Sequence, residues 1–316
     1  MVMKILITGA TGLIGREIVM QCHERGFHVN YLTTRKTAIT KKENYQGFYW
    51  NPSERKIDSS CFDGVSVIIN LAGSAVSKRW TKSYKKEILD SRVESLKLLE
   101  NAIGNLAEHN IKQLITASAI GIYPDSLEGY YEADAEVPDN DSFLGEVVTK
   151  WEAAAENFKN QGILVSKIRI GLVLSSHGGA FPQIVKPIKY GLGAGFGSGD
   201  QWQSWIHVED LAAIFLFVLS HGKEGVFNGV APNPVTNSKL TKEIASVLKR
   251  PVFLPNIPKS FMTIILGEMS QLLFESQRVS SKKLENSGFH FAYPNIKSAL
   301  QQLLTKENNL HEKLVS

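Results

Sequence analysis

Residues 4–15 read Lys4-Ile5-Leu6-Ile7-Thr8-Gly9-Ala10-Thr11-Gly12-Leu13-Ile14-Gly15, and this stretch decides the fold. The apolar run from Ile5 to Thr8, closed by glycine, has the pattern of a strand buried on both faces. From Leu13 the apolar spacing changes to three and four residues through Ile14, Ile18 and Cys22, with Gly26 as a stop, which predicts a helix over 13–25. Three glycines thus fall between a strand and a helix. In that setting a glycine loop lets the backbone approach a pyrophosphate, and the helix N-terminus adds unpaired N–H groups and partial positive charge. Gly9, Thr11, Gly12, Leu13, Ile14 and Gly15 are therefore candidate dinucleotide contacts.

The next strand, predicted over 27–32, chooses the dinucleotide. An NAD site carries an acid near its end to bind the ribose 2′-hydroxyl. Here the chain continues Leu32-Thr33-Thr34-Arg35-Lys36, with no acid. Two cations and two hydroxyls suit a 2′-phosphate, so Thr34, Arg35 and Lys36 point to NADP(H). A further strand ends in Asn70-Leu71-Ala72-Gly73, where the small Ala-Gly pair permits close approach of a cofactor, so Leu71, Ala72 and Gly73 join the cofactor candidates.

Outward from this core, short apolar strands are expected at 65–70, 113–117 and 165–170, alternating with helices over about 83–109 and 142–160. The expected fold is therefore α/β, a Rossmann-type doubly wound parallel sheet with helices on both faces. After Gly171 the texture turns glycine-rich and then proline-punctuated. Residues 1–175 are read as the NADP(H)-binding Rossmann domain, with 205–230 returning to it. Residues 176–204 and 231–316 are read as a smaller C-terminal substrate lobe over the carboxyl ends of the strands.

The 316 residues are 43% hydrophobic and 21% charged, the balance of a globular protein. A net charge of +4, without a dense basic block, argues against nucleic acid as a partner. No apolar stretch approaches the ~20 residues of a membrane span, and the N-terminal run is too short for a secretory signal. Two cysteines, Cys22 and Cys61, lack metal-ligand spacing and read as reduced and structural, so no metal is expected and a cytoplasmic location is.

With these stretches in place, and with Ile115-Thr116-Ala117-Ser118-Ala119 and Arg169-Ile170-Gly171, the chain resembles the short-chain dehydrogenase/reductase superfamily in its extended, epimerase-like branch. More narrowly it is similar to an atypical epimerase-like subgroup, some of whose members are labelled cell-division inhibitors. That match rests on Lys78-Arg79-Trp80, Asp90-Ser91-Arg92, Phe143-Leu144, Trp151-Glu152, Gly197 through His207, 231–237, Gly288 through Phe291, and Tyr293-Pro294. The resemblance implies an NADP(H)-binding fold with a small C-terminal lobe, and a homodimer built through the helices near 83–109 and 142–160.

The superfamily's chemistry uses a hydroxyl residue, a tyrosine, and a lysine four residues later that lowers the tyrosine pKa. Ser118 stands at a strand end where the hydroxyl belongs. On the following helix Phe143 occupies the tyrosine's place and Val147 the lysine's, and neither carries a proton. A literal Tyr-x-x-x-Lys at Tyr293–Lys297 lies in the C-terminal lobe and reads as coincidence. Tyr123 is a replacement acid, with Asp125, Tyr130, Tyr131, Glu146 and Lys150 as others. Arg92, at an otherwise apolar helical position, is a partner for an aspartate or for cofactor phosphate. Arg79, Trp80, Trp202, Ser204, Trp205 and His207 are candidate substrate contacts, the last four in a glycine- and aromatic-rich segment that equally suits packing between lobes. Two functions remain open: an oxidoreductase or epimerase on a small polar or sugar-nucleotide-like substrate, or a non-catalytic NADP(H)-binding regulator.

Overall fold

The computed structural model describes the backbone of residues 2–315 and the side chains of residues 2–305. Strands β1 (Lys4–Thr8), β2 (His28–Thr33), β3 (Lys41–Lys42), β4 (Tyr45–Asn51), β5 (Lys56–Ile57), β6 (Val67–Asn70) and β7 (Gln113–Ala119) build most of one large sheet. After the short β8 (Tyr130–Tyr131), β9 (Leu164–Ile170) extends it. Beyond β10 (Leu172–Leu174), β11 (Trp202–Gln203) and β12 (Trp205–His207), β13 (Gly225–Gly229) completes it. The order is β13-β9-β7-β6-β1-β2-β4-β3, with β5 on β4. Every pairing from β13 to β4 is parallel, and β3 and β5 join antiparallel. The fold is Rossmann-type.

Ile5, Leu6 and Ile7 are fully buried, as a central strand covered on both faces requires. Helices α1 (Leu13–Glu24), α2 (Lys82–Gly104) and α3 (Phe143–Glu156) follow strands, then α4 (Phe181–Lys189) and α5 (Val208–Ser220). α1 packs on α5 and α2 on α3, giving the two helical layers. α5 is apolar nearly all round, with nine buried residues, because it is sandwiched between α1 and the sheet. α2 ends at Gly104 rather than near His109, where the Leu106 N–H turns back to the Ile103 carbonyl.

The long strand β4 was not among the expected elements. Its Gly47 leaves room for the Tyr31 ring, which a Cβ there would meet at 2.5 Å, and the Tyr31 hydroxyl donates to the Ala38 carbonyl at 2.7 Å. The remaining chain forms β14 (Val235–Thr236), α6 (Asn237–Val247), α7 (Lys259–Leu266), the one-turn α8 (Gln271–Phe274), β15 (Arg278–Val279), α9 (Lys282–Asn286) and α10 (Ile296–Val315). β15 runs parallel to β8 and β11 antiparallel to β14, which fastens this part of the chain over the carboxyl end of β7. Among the described residues no helix is long and apolar enough to cross a membrane.

Candidate functional site

The strand order reverses direction between β1 and β6, and a crevice opens there at the carboxyl ends of the strands. The glycine loop lies in it. Gly9 takes φ +70°, a conformation that side chains disfavour, and its carbonyl accepts the Gly12 N–H at 2.9 Å to close the turn. α2, α3, α5 and α6 each begin with a side-chain cap, whereas α1 begins at Gly12 with none and has no acid in its first turn. Its leading N–H groups and positive dipole end therefore remain available to an anion. The loop fits a dinucleotide pyrophosphate: at Gly12 a Cβ would occupy space 3.2 Å from the Gly9 carbonyl oxygen, where the backbone otherwise stays bare.

A small buried network, not read from the sequence, sets the facing wall. Thr8 Oγ1 donates to Asn70 Oδ1 at 2.7 Å and accepts the Leu71 and Ala72 N–H groups at 3.0 and 3.1 Å. Asn70 Nδ2 donates to Thr116 Oγ1 at 3.0 Å, so three strand ends are pinned together beneath Gly73.

At the end of β2, buried Thr33 accepts the Arg35 N–H at 3.2 Å, while Thr34, Arg35 and Lys36 are exposed. The Lys36 ammonium lies 5.1 Å from the Tyr49 ring. A cavity of about 410 Å³ runs along α1, lined by Thr11, Arg16, Lys42 and Tyr45 among others. Arg16 Nε donates to the Thr11 carbonyl at 2.9 Å, which adds a cation to the phosphate loop that sequence reading passed over.

Ser118 and Tyr123, the two catalytic candidates of the sequence, belong to one buried charged network. Ser118 Oγ donates to Glu152 Oε1 at 2.6 Å. Glu152 holds Arg169 through two bonds of 2.8 and 3.0 Å, and Arg169 Nη1 donates to the Tyr123 hydroxyl at 2.9 Å. That hydroxyl in turn donates to Asn228 Oδ1 at 2.8 Å. Burial pushes the Glu152 carboxyl up, but the hydrogen bonds and charge of Arg169 bring it below the usual range. Burial raises the Tyr123 phenol, against the pull of Arg169. Both hydroxyls are 2% exposed or less and both protons are committed to internal acceptors.

The positions of the missing pair are apolar in three dimensions too. Phe143 meets Trp80 edge to face at 5.1 Å, and Val147 packs with Trp80 and Ile88 against Met269 and Leu272. The ion pair Lys85–Glu268 ties α2 to the segment carrying Met269. Arg79 is exposed and lies beside Gly267. Arg92 has no aspartate partner among the described residues: its Nη1 donates to the Ile88 and Ser74 carbonyls at 2.8 and 3.2 Å.

Three of the four candidates in the segment 202–207 are interior packing and capping residues rather than a pocket wall. Trp205 is fully buried with its indole N–H on the Asn233 carbonyl. Ser204 bonds the Gln277 carbonyl and the Val279 N–H. His207, fully buried, caps α5 through Nδ1, meets Gln302 through Nε2 and stacks on Tyr293 at 3.9 Å. Trp202 is half-buried under the Arg278 guanidinium at 4.5 Å. Tyr293 is thus occupied far along the chain from the crevice, with its hydroxyl on Glu209.

Glu275, which follows α8, stands beside Asp125, whose Oδ1 accepts the Ser276 N–H at 2.7 Å. Burial and then the Asp125 charge push the Glu275 carboxyl up to about 7. Its sequence surroundings carry no motif that marks it.

A profile of the NAD dependent epimerase/dehydratase family matches residues 5–229, and one of a domain of unknown function, DUF1731, matches residues 257–303. The chain is 37% identical over 303 residues to the epimerase family protein YfhF of Bacillus subtilis, covering 96% of this chain and 98% of that one. It is 34% identical to the chloroplastic SDR39U1 homolog of Arabidopsis thaliana, over 96% of this chain and 87% of that one. Among solved structures, human epimerase family protein SDR39U1 (isoform 2) with NADPH superposes with a TM-score of 0.83 at 29% identity, over 95% of this chain and 99% of that one.

Proposed function

Because the chain belongs to the NAD dependent epimerase/dehydratase family, we propose that it is an atypical NADP(H)-dependent oxidoreductase or epimerase of the cytoplasm that works without a Tyr–Lys pair. Its substrate on this reading is a small polar or sugar-nucleotide-like molecule. The observation that carries the cofactor choice is the end of β2, where Thr34, Arg35 and Lys36 are exposed beside the glycine loop and no acid is present. The human relative solved with NADPH supports it.

Bound there, NADP(H) supplies a hydride donor or acceptor. The chain's own residues do the rest. Gly9, Gly12 and Gly15 let the backbone come close, the uncapped α1 terminus meets the pyrophosphate, and Arg35 and Lys36 meet the 2′-phosphate. Trp80, Phe143, Val147, Met269 and Leu272 keep water from the space beneath the C-terminal segment. Glu275, beside Asp125 on the same C-terminal segment as Met269 and Leu272, holds its proton to near neutrality and is fitted to exchange one.

The test is a fluorescence titration with NADPH and NADH on the protein and on Arg35→Glu. NADPH binding at least tenfold tighter than NADH, with the preference lost in the variant, supports the assignment; equal affinities overturn it. A second reading, a cofactor-binding regulator without turnover, is favoured by the apolar residues at 143 and 147 and by the committed protons of Ser118 and Tyr123. NADPH oxidation with a panel of carbonyl and enone compounds separates the two.

A further inference from the structure

Helix α7 carries its apolar side chains on the outside. Phe261, Ile264 and Ile265 follow one another at helical spacing on one face, yet they are 54%, 78% and 51% exposed, and the helix has no buried residue. Phe253, before α7, and Tyr190 and Leu192, after α4, are more than half exposed as well. The two segments lie side by side. The Ile257 N–H donates to the Gly195 carbonyl at 2.8 Å, the Gly197 N–H to the Ile257 carbonyl at 2.9 Å, and Asn256 Nδ2 to the Ser198 carbonyl at 3.0 Å. Large apolar groups are thus gathered on one part of the surface and tied there by backbone pairing. Apolar residues exposed singly need no explanation, whereas a gathered set marks a contact with something apolar.

The charge around them has one sign. Residues 172–199 hold Lys186 and Lys189 and no acid, and residues 244–267 hold Lys249, Arg250 and Lys259 and no acid. The chain as a whole is nearly balanced, with 35 basic and 31 acidic residues, so this separation is local. Lys186, Lys189, Lys249 and Arg250 join no ion pair among the described residues. Lys259 is turned toward Phe274, 5.8 Å from its ring. The bordering acids are Asp200, Glu243 and Glu268, and the last is paired with Lys85. Lys186, Lys189 and Tyr190 also line a cavity of about 260 Å³ together with Phe181 and Val185, so cations and apolar groups share one recess.

A second copy docked through this face would set cations against cations, which works against self-association there. An acidic bilayer surface answers both features, since acyl chains take up the apolar groups and headgroups meet the cations. We propose that α7 and the loop at 190–192 dock the protein peripherally on an anionic lipid surface. The contact lies outside the nucleotide crevice and does not rest on the NADP(H) reading.

The full chain is sedimented with vesicles of phosphatidylcholine alone and with vesicles in which roughly one lipid in four is phosphatidylglycerol. The apolar arm is Phe261→Ser with Ile264→Ser, and the charge arm is Lys186→Glu with Lys189→Glu. Lys41→Glu with Lys112→Glu changes the net charge equally, on β3 and before β7, and serves as the control. The expected result is binding to the anionic vesicles at least tenfold tighter than to the neutral ones. Each arm weakens it by about tenfold or more, the control stays within about twofold, and about 0.5 M salt removes most of it. All the substituted side chains are partly or fully exposed, so melting temperatures should hold. Should the serines on α7 lower the melting temperature, Phe253→Ser, outside any helix, carries the apolar arm. Failure to bind anionic vesicles overturns the proposal, as does binding that survives either arm or falls equally in the control. A dimer in sedimentation equilibrium that Phe261→Ser with Ile264→Ser splits, without vesicle binding, overturns it too and gives this face to a second copy.

Discussion

A Cβ at position 15 would lie 2.2 Å from the carbonyl oxygen of Gly9, so α1 reaches β1 only because residue 15 has no side chain. Gly15→Ala forces the helix away from the strand and spoils the cradle between them. The expected result is a loss of about 1–3 kcal/mol in urea unfolding, together with at least tenfold weaker NADPH binding. An alanine variant that keeps full affinity would show that the loop is not where the cofactor is held.

Glu152 is the hub of the buried network under β7 and β9, and its removal strands Arg169. Glu152→Ala should cost about 3–5 kcal/mol, because an unneutralised buried charge remains. Ser118→Ala deletes a single hydrogen bond to that carboxylate and should cost only about 1.5–3 kcal/mol. Denaturant titration of both, and of Glu152→Ala combined with Arg169→Met, checks the ordering; the double variant should recover part of the loss.

Glu275 has a pKa raised in the folded protein to about 7 from an ordinary 4.5, so the folded state binds its proton more tightly than the unfolded state does. Its contribution to stability is complete below pH 4.5 and is lost as the pH rises through 7. The loss is up to about 3 kcal/mol. Glu275→Gln should flatten the decline in melting temperature over that window and leave the variant the more stable of the two at pH 8. An unchanged pH profile would mean that Asp125 and burial do not hold the carboxyl as described.

His207 caps α5 and stacks on Tyr293, with no exposure to a crevice. His207→Ala should therefore lower stability by about 1–2 kcal/mol and leave NADPH affinity within twofold. A selective loss of turnover in a stably folded variant would return this residue to the reacting site.

What was legible in the sequence was local. The glycine loop, the acid-free end of β2 and the alternation of buried strands with amphipathic helices each depend on residues a few positions apart, where spacing and backbone geometry are tightly coupled. The absence of the Tyr–Lys pair was equally readable at Phe143 and Val147, and the structure shows both inside an apolar cluster. What could not be read was burial of polar residues. Trp205, Ser204 and His207 have the composition of a binding wall, yet their partners at Asn233, Gln277 and Gln302 lie far along the chain. Trp151 and Glu152 are neighbours in sequence, but successive helical residues diverge by about 100°, so one meets Arg92 and the other Arg169. No periodicity distinguishes an arginine that has its acid from one that lacks it.

The sheet's last strand also has a history in time. β13 pairs with β9 from Ser166 to Ile170, yet it is made only after the chain has travelled out through α4 and back through α5. About 55 residues separate the end of β9 from the start of β13, which at roughly 5–20 residues per second is several seconds of translation. Through that interval the emerging chain presents the β9 edge with its ladder groups unpaired, a surface ready to recruit another strand. Yield in a cell is therefore governed by how quickly that edge is covered during synthesis, and a truncation that keeps the nucleotide loop but stops before Gly225 should accumulate as aggregate.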